Sequence, residues 1–383
     1  MKQSTLFQVG IVADDLTSAT DGAAPFLAKG CAPLITRDQA RIGQEPVVSI
    51  DTNSRSLSAT EAARLTAAAI AALSDRSLLL KTIDSTLRGH IRAEIAAAWR
   101  ASGRSRLVVA PAFPAAGRLT VGGMQMVHGI PVSGSDYRRD PVHPASTSDI
   151  GALVDPAIGK PTIIALEDAV PSAAEAPVLI LDADSQQALN RQVARIPHPQ
   201  AALWVGSPGL ATALAALVPQ ASKGGADDSL IARRVLIVAG SANRVTHLQC
   251  DSLRAHGVAV VGDLADAPND ASILCLCAPI ERQGDAGSVL VGLAAQAGSA
   301  LARHGYDAVI ATGGETMAAI LDRIGIRRFM LAFELEPGFP VGRAERADGS
   351  SLLIAMKAGG FGSRSTLVDA ARALAAETRD RIQ

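Results

Sequence analysis

Short, continuous runs of Val, Ile and Leu recur along this chain, and Ala-rich segments of helical period separate them. Continuous apolar runs are typical of strands that are buried on both faces, whereas half-exposed strands alternate apolar with polar residues. Strands that alternate with helices in this way form a mostly parallel sheet covered by helices. The pattern therefore predicts an α/β fold.

A polar stretch, VPQASKGGADDS at 218–229, interrupts this alternation and has the composition of a linker. We therefore predict two α/β lobes, 1–220 and 230–383, each a mostly parallel sheet flanked by helices, with the active site in the cleft between them. The predicted strands are 8–13, 46–51, 77–84, 106–111, 162–166, 178–182, 202–206, 234–239, 258–262, 272–277, 308–312 and 351–356. The predicted helices are 17–29, 58–73, 89–101, 185–195, 209–217, 245–256, 287–303, 316–323 and 365–377. The segment 117–146, rich in Gly, Pro, His and Arg, is expected to form a long loop or hairpin.

The charge balance bears on the partners of the chain. Its 36 basic and 37 acidic residues give a formal net charge of -1, which argues against nucleic acid as the main partner. No apolar run reaches the roughly 18 residues of a membrane-spanning helix, and the N-terminal segment lacks the pattern of a secretory signal. We expect a cytoplasmic protein without a membrane partner, and a homo-oligomer is left open.

Cysteine and histidine spacing gives no metal-binding pattern. Cys275 and Cys277 alternate along one predicted strand and stand without a second ligand pair, so we interpret them as buried small hydrophobic residues. His128 and His143 lie in the 117–146 segment, where contact with a substrate and a purely structural role are both open. Metal ligands stay unassigned.

Charged residues collect just after the predicted strands of the first lobe, where ligands bind in open α/β sheets. The acids there are Asp14, Asp15, Asp51 and Asp84, and the cations are Arg55, Lys81, Arg88 and Arg118. This mixture suits a small ligand with an anionic head and several hydroxyls, because arginine clamps a carboxylate and carboxylates accept hydrogen bonds from hydroxyls. Two plainer interpretations remain open: Asp15 or Thr17 as a helix N-cap, and the whole set as ion pairs that tie loops together.

Glycines mark the corresponding strand ends in the second lobe, in VAGSANRVT, IATGGETMA and MKAGGFGSR. Glycine lets backbone N–H groups approach a phosphate closely, and a helix N-terminus adds a favourable dipole. Neither a Walker-type G-x-x-x-x-G-K-[ST] loop nor a dinucleotide-type G-x-G-x-x-G after the first strand of either lobe is present. Nucleotide binding and plain turns are both compatible with these glycines.

Ten short segments resemble, in order over about residues 8–362, the family of four-carbon acid sugar kinases. They include VADDLTSATDGAAPFLAKG, DTNSRSLS, KTIDSTLRGHIRAEI and RDPVHP in the first lobe, and VAGSANRVTHLQ, ATGGETMAAIL and KAGGFG in the second. The resemblance implies ATP-dependent phosphorylation of the 4-hydroxyl of a tetronate-type acid, with Mg²⁺, the acid sugar on the first lobe and ATP on the second.

Site residues follow from the resemblance, motif by motif. On the substrate side we expect Asp14, Asp15, Asp51, Arg55, Lys81, Asp84, Ser85, Arg88 and Gly89. On the nucleotide side we expect Ser241, Gly313, Gly314, Glu315, Thr316, Gly359 and Gly360. Asp15, Lys81 and Asp84 are the expected catalytic residues. Asp15, with Asp84 or Asp14 as alternatives, would orient or deprotonate the hydroxyl, and Lys81 with Arg88 would anchor the carboxylate or neutralise phosphate.

The motifs KTIDSTLRG and KAGGFG narrow the choice of expected substrates, because they look more like the D-threonate and D-erythronate type of the family than the 3-oxo-tetronate type. Ser18 and Thr20 depart from the residues usual in the family, close to the expected pocket. Three other hypotheses stay in view: a 3-oxo-tetronate kinase, a kinase of ordinary sugars and a non-enzymatic sugar-acid-binding protein. A dinucleotide-dependent oxidoreductase is disfavoured because its glycine fingerprint is missing.

Overall fold

The computed structural model describes residues 7–140, 143–221, 231–278 and 286–375. The chain divides into two compact units, Met1–Ser222 and Lys223–Gln383. Most of the linker predicted at 218–229 lies outside the described residues.

The first unit alternates strands with helices along most of its length. Its strands are β1 (Val9–Ala13), β2 (Leu34–Thr36), β3 (Val47–Asp51), β4 (Leu78–Thr82), β5 (Arg106–Ala110), β6 (Arg118–Val121), β7 (Met124–Val127), β8 (Ile130–Pro131), β9 (Pro161–Ile164), β10 (Val178–Leu181) and β11 (Ala202–Gly206). Its α-helices are α1 (Leu16–Ala23), α2 (Ala59–Ala72), α3 (Ile91–Ser102), α4 (Gln186–Ala194) and α5 (Pro208–Leu217). Short 3₁₀ segments cover Ala24–Lys29, Gln39–Arg41, Pro114–Ala116, Val132–Gly134, Asp136–Arg139, Gly151–Leu153 and Pro199–Ala201.

The main sheet of the first unit is parallel throughout, in the order β2-β3-β1-β4-β11-β5-β10-β9. β1, β3, β4, β5 and β11 are buried at every residue, as strands covered on both faces must be. The chain leaves β1 on one side toward β2 and β3 and returns on the other side as β4. This change of direction leaves a crevice at the carboxyl ends of β1 and β4, where ligands of such folds bind.

The segment 117–146 forms a small antiparallel sheet, β6-β7-β8, so the predicted hairpin is confirmed over its first half. Its second half carries the 3₁₀ segment Asp136–Arg139. One prediction for this unit is wrong in part. The helix expected over 17–29 ends at Ala23, because Pro25 has no N–H to continue the α-helical bonding and the chain tightens into a 3₁₀ helix over Ala24–Lys29.

The second unit repeats the alternation. Its strands are β12 (Val235–Ala239), β13 (Ala259–Val261), β14 (Ile273–Cys277), β15 (Ala308–Thr312), β16 (Arg328–Glu334), β17 (Pro340–Glu345) and β18 (Ser351–Lys357). Its α-helices are α6 (Arg244–Ala255), α7 (Ala286–Arg303), α8 (Gly314–Arg323) and α9 (Thr366–Leu374), with a 3₁₀ segment at Leu264–Asp266.

Strands of the second unit follow the order β13-β14-β12-β15-β18-β17-β16. Pairing is parallel from β13 to β18, and β17 pairs with β18 and with β16 in antiparallel fashion. β16 and β17 were absent from the predicted elements. The predicted α/β class is confirmed, because the sheet of each unit is mostly parallel and helices pack against it. The helix expected over 365–377 ends earlier, at Leu374, because Ala375 is extended and pairs with Ala232.

Three cysteines meet in the core of the second unit. Cys250 of α6 and Cys275 and Cys277 of β14 are buried and free, and the Sγ atoms of Cys250 and Cys277 lie 3.5 Å apart. The interpretation of the C-x-C as buried small residues is therefore confirmed. Among the described residues, no helix combines the length and the apolar character needed to span a membrane.

Candidate active site

Two adjacent acids follow β1 and meet one guanidinium. Arg55, which lies in the loop after β3, donates from Nε to Asp14 Oδ2 at 2.7 Å and from Nη2 to Asp14 Oδ1 at 2.9 Å. Its Nη1 pairs with Asp15 Oδ2. Asp15 is also the N-cap of α1, where its Oδ1 accepts from Ser18 N at 2.7 Å. Both plainer interpretations therefore hold for Asp15: it caps α1, and it forms an ion pair with Arg55 of another loop.

Arg55 acts unequally on the two acids. Burial opposes the charged form of Asp14, but the bidentate pairing with Arg55 and the charge of Lys81 outweigh it and hold the pKa of Asp14 below its usual range. For Asp15, burial together with the neighbouring charge of Asp14 outweighs Arg55 and raises the pKa to about 6. The Asp15 side chain also keeps 22% of its surface exposed, against 4% for Asp14. Asp15 is therefore the acid of the pair that can exchange a proton near neutral pH.

A buried ion pair between Lys81 and Glu94 is connected to this group of acids. Lys81, in β4, has a fully buried side chain whose Nζ lies 3.0 Å from Glu94 Oε2 on α3 and donates to Thr82 O at 2.6 Å. Glu94 Oε1 accepts from Ser54 Oγ at 3.4 Å. Because Ser54 N also donates to Asp14 O at 2.8 Å, the Lys81–Glu94 pair is connected to the loop that carries Arg55.

A second charged group follows β4. Arg88 Nε donates to Asp84 Oδ2 at 2.6 Å, and its Nη1 donates to Asp140 Oδ2 at 3.0 Å. Asp84 Oδ1 accepts from the backbone N and the Oγ1 of Thr86, at 2.9 and 2.8 Å. The Arg88 guanidinium also stacks on the ring of Tyr137, 5.2 Å from its centroid. Arg88 is therefore held by groups from two separate segments of the first unit, the loop after β4 and the segment after β8.

His143 connects the two charged groups. Its backbone N donates to Asp140 Oδ1 at 2.8 Å, and its Nε2 lies 2.6 Å from Arg55 O. A carbonyl oxygen only accepts, so the proton of this ring lies on Nε2. The His90 ring packs edge-on against His143 with centroids 4.8 Å apart. His143 therefore has a structural role here, one of the two alternatives left open by the sequence.

The remaining expected substrate residues lie near this cluster with their polar groups largely occupied. Asp51 is buried and accepts from Arg37 Nε at 2.7 Å and from Asn53 N at 2.8 Å. Ser85 is buried, and its carbonyl accepts from Gln125 Nε2 at 2.7 Å. Gly89 takes a φ of +108° beside Asp14, a backbone conformation that side chains rarely adopt.

The glycine-rich strand ends of the second unit also come together. A Cβ at Gly359, after β18, would lie 1.9 Å from the Oγ of Ser241, which follows β12. Thr246 Oγ1 donates to Gly359 O at 2.9 Å, and a Cβ at Gly360 would lie 3.1 Å from the side-chain nitrogen Nδ2 of Asn243. Only glycine at 359 permits this approach of the two loops. Ser241, Gly359 and Gly360 therefore share one place at the carboxyl edge of this sheet.

α8 begins at the same edge with a glycine pair. Gly313 has a φ of +102° and precedes α8 without a capping side chain, and Gly314 is the first helical residue. Glu315 is exposed and Thr316 is buried in the first turn. Gly313 N donates to Lys357 O at 2.8 Å, so β18 fixes this turn. The first N–H groups of an uncapped helix form a site for an anionic group.

Lys357 stiffens the glycine-rich loop that follows it. Its Nζ donates to Ala358 O at 3.1 Å and to Phe361 O at 2.8 Å, so it ties together the two ends of Ala358–Phe361. Burial lowers the pKa of Lys357 to about 8, against an opposing effect of Glu336.

Several residues of both sites escaped sequence analysis. Glu94, Asp140 and Tyr137 in the first unit and Asn243, Thr246 and Lys357 in the second complete the contacts above. Glu94 carried a detectable signal, because it is an acid on the apolar face of α3 together with Ile91 and Ile95. Asp140 lies in the segment RDPVHP that resembles the family but was given no role, and Tyr137 carried no signal, since it comes from the irregular segment after β8.

These features define a class: an α/β protein with an acid- and arginine-lined crevice on its first unit and glycine-rich strand ends on its second. Two family descriptions match the chain, a sugar-binding N-terminal domain over residues 9–214 and a nucleotide-binding C-terminal domain over residues 276–367. The chain belongs to the family of four-carbon acid sugar kinases.

Curated relatives of this chain match it over nearly their whole length. The D-threonate kinase of Bordetella bronchiseptica is 32% identical, with 96% of this chain and 97% of that protein covered. The D-threonate kinase of Cupriavidus necator is 33% identical, with 95% and 97% covered. The 3-oxo-tetronate kinase of Brucella melitensis is 26% identical, with 95% of each covered.

Solved structures share the fold. A Salmonella typhimurium protein superposes with a TM-score of 0.78 at 23% identity, covering 96% of this chain and all of that one. A Haemophilus influenzae protein superposes with a TM-score of 0.75 at 20% identity, covering 95% and 99%. At these identities the likeness concerns the fold alone.

Breaking the buried pair should destabilise the first unit. We expect Glu94→Gln to lower the free energy of unfolding by about 3–5 kcal/mol, because it leaves the buried charge of Lys81 without its partner. Urea unfolding measures this loss. The control is Glu61→Gln, which removes an exposed partner of Arg64 and should leave the midpoint unchanged. A Glu94→Gln midpoint equal to that of the parent protein would contradict the assignment.

Proposed function

We propose that this protein transfers the γ-phosphoryl group of ATP to the 4-hydroxyl of a four-carbon acid sugar, D-threonate or D-erythronate before 3-oxo-tetronate. Residues 1–220 would bind the acid sugar and residues 230–383 the nucleotide. The observation that carries the proposal is the crevice at β1 and β4, where Asp15 stays partly exposed with a pKa raised to about 6 beside the charged Asp14–Arg55 pair. The full-length similarity to D-threonate kinases supports the choice of substrate.

Asp15 is the proposed general base. The 4-hydroxyl gives its proton to the Asp15 carboxylate as its oxygen bonds to the γ-phosphorus, and the bond from that phosphorus to the bridging oxygen of ADP breaks in line. A base with a pKa near 6 is ionised at neutral pH and still accepts a proton in the transition state. Asp14, held charged by Arg55, would accept hydrogen bonds from substrate hydroxyls and would not compete for that proton.

Other expected catalytic residues act through position on this proposal. Lys81 is fully buried against Glu94, so it would set the potential at Asp14 and not reach the substrate. Asp84 orients Arg88 and the turn at Thr86, which would place a cation beside the transferred group. Both assignments rest on the contacts that these side chains already make.

The nucleotide would lie at the glycine-rich edge of the second unit. The uncapped start of α8 at Gly313 and Gly314 offers backbone N–H groups to phosphate oxygens, and Ser241 with Gly359 and Gly360 brings two further loops beside it. Glu315 and Thr316 stand in the same first turn. The close packing of Gly359 on Ser241 favours a preformed phosphate-binding site over a plain turn.

Mg²⁺ would accompany the nucleotide. Over the described ranges no three His, Cys, Asp or Glu side chains converge as a metal cage. Mg²⁺ at phosphoryl-transfer sites is bound mostly by phosphates and water with one or two carboxylates, so the chain fits a metal brought in by ATP. It would offset the negative charge of the transferred group.

Substrate choice is tested by ATP consumption measured in parallel on D-threonate, D-erythronate, L-threonate and 3-oxo-tetronate. We expect turnover with D-threonate or D-erythronate to exceed that with the other two acids. Preference for 3-oxo-tetronate would move the assignment to that subgroup of the family, and no activity on any of the four acids would contradict the proposed function.

Replacing the proposed base should lower turnover and change its pH dependence. For the parent protein, kcat/KM should rise with pH through about 6, because the raised pKa of Asp15 keeps it protonated below that value. Asp15→Asn should lower kcat by about 10²-fold or more and remove this limb of the profile. A variant with near-normal turnover would exclude Asp15 as the base.

The proposed phosphate-binding site is tested by adding a methyl group. Gly359→Ala places a Cβ against Ser241 and should weaken ATP binding by about 10-fold or more, as measured by calorimetry. Adding Ser241→Gly removes the Oγ and Cβ atoms of Ser241, which the new methyl group would meet, and should recover part of the affinity for ATP. Gly292→Ala, in α7 with open space around it, is the matched control. Unchanged affinity in Gly359→Ala would contradict a nucleotide site at this loop.

A further inference from the structure

The sequence predicts Lys81 and Arg88 as anchors of the substrate carboxylate, but most cations near the first crevice already hold a carboxylate of the protein. Arg37 pairs with Asp51, Arg55 with Asp14 and Asp15, Lys81 with Glu94, and Arg88 with Asp84 and Asp140. A substrate anion that bound one of them would compete with an existing partner. Arg118 is different.

Arg118 carries its charge without a carboxylate partner among the described residues. Its Nη2 donates to Tyr137 Oη at 3.0 Å, and its guanidinium stacks on the Tyr137 ring 5.8 Å from the centroid. Its Nε is buried and donates to nothing in the described part of the chain. A buried donor without a partner costs about 1–3 kcal/mol, more when it belongs to a charged group, so a ligand that accepts from it is favoured.

The position of Arg118 joins it to the proposed substrate site. It opens β6 just after the carboxyl end of β5, on the same edge of the sheet as Asp14 and Asp84. Tyr137 contacts both Arg118 and Arg88, which pairs with Asp84. Because the Tyr137 ring contacts the guanidinium groups of both arginines, it fixes the orientation of the Arg118 guanidinium before a ligand binds.

We propose that Arg118 is the specificity-determining anchor of the substrate carboxylate, with Tyr137 as its positioning residue. The inference rests on the proposed function and names the group that selects acids over neutral sugars. A planar guanidinium with free donors binds a carboxylate in bidentate fashion, and a preorganised fork loses little entropy in doing so. Lys81 and Arg88, the anchors expected from the sequence, would then serve to position the acids around it.

The test compares D-threonate with its neutral amide, D-threonamide, in the parent protein and in Arg118→Leu. We expect the parent protein to prefer the acid by about 10²-fold or more in kcat/KM, and Arg118→Leu to reduce this preference to nearly one, mainly through the KM of the acid. Arg118→Lys should keep an intermediate preference. Arg138→Leu removes an equal charge from the exposed surface beside Tyr137 and should leave the preference intact.

Two results would overturn the inference: an unchanged preference for the acid in Arg118→Leu, or an equal loss on both substrates, which would indicate a structural or phosphoryl-directed role. Should Arg118→Leu be too slow to measure, circular dichroism and urea unfolding report its folding, and turnover is repeated for Arg118→Ala with added guanidinium. Recovery on the acid supports the anchor, and a parent-like unfolding curve without recovery excludes it. A parent protein inactive on every acid would instead contradict the proposed function.

Discussion

One guanidinium sets the charge balance at the carboxyl edge of the first unit. Arg55 pairs with Asp14 through two nitrogens and with Asp15 through the third, although both acids stand at the end of a buried strand. Without this cation, two adjacent carboxylates could not both remain ionised so close to the core. The unequal sharing keeps Asp14 charged and leaves Asp15 titratable near neutral pH. On our proposal, this division separates the binding acid from the catalytic one.

The supporting contacts explain why this arrangement is rigid. Ser54 connects Asp14 to the buried Lys81–Glu94 pair, and His143 connects Arg55 to Asp140. Each link crosses between elements that are distant in the chain, so a change in one loop is resisted by the sheet and by α3. Such preorganisation is what a phosphoryl-transfer site requires, because its catalysis consists mostly of positioning and charge stabilisation.

Much of this architecture follows from local patterns in the sequence. Fully buried strands such as β1 and β11 can be recognised in the sequence as continuous apolar runs. The parallel sheet then places Asp14, Arg55 and Asp84 at one edge. The pairing of those residues does not follow, because it depends on partners such as Glu94 from a helix and Asp140 from an irregular loop. The sequence also does not reveal that Arg118 is available for a ligand, because tertiary contacts decide which cations already pair with a carboxylate. β2 was missed because it has only three residues, and β16 and β17 were missed because their antiparallel pairing departs from the alternation of strand and helix.

The central claim, that Arg55 separates the proton affinities of two neighbouring acids, is accessible to a direct measurement. Carbon-13 NMR of the aspartate carboxyl groups, followed over pH in the free protein and assigned with Asp14→Asn and Asp15→Asn, reports each titration. We expect Asp15 to titrate near 6 and Asp14 below its ordinary value of 3.8. Asp15 titrating at or below 3.8, or the two acids titrating together, would contradict the account.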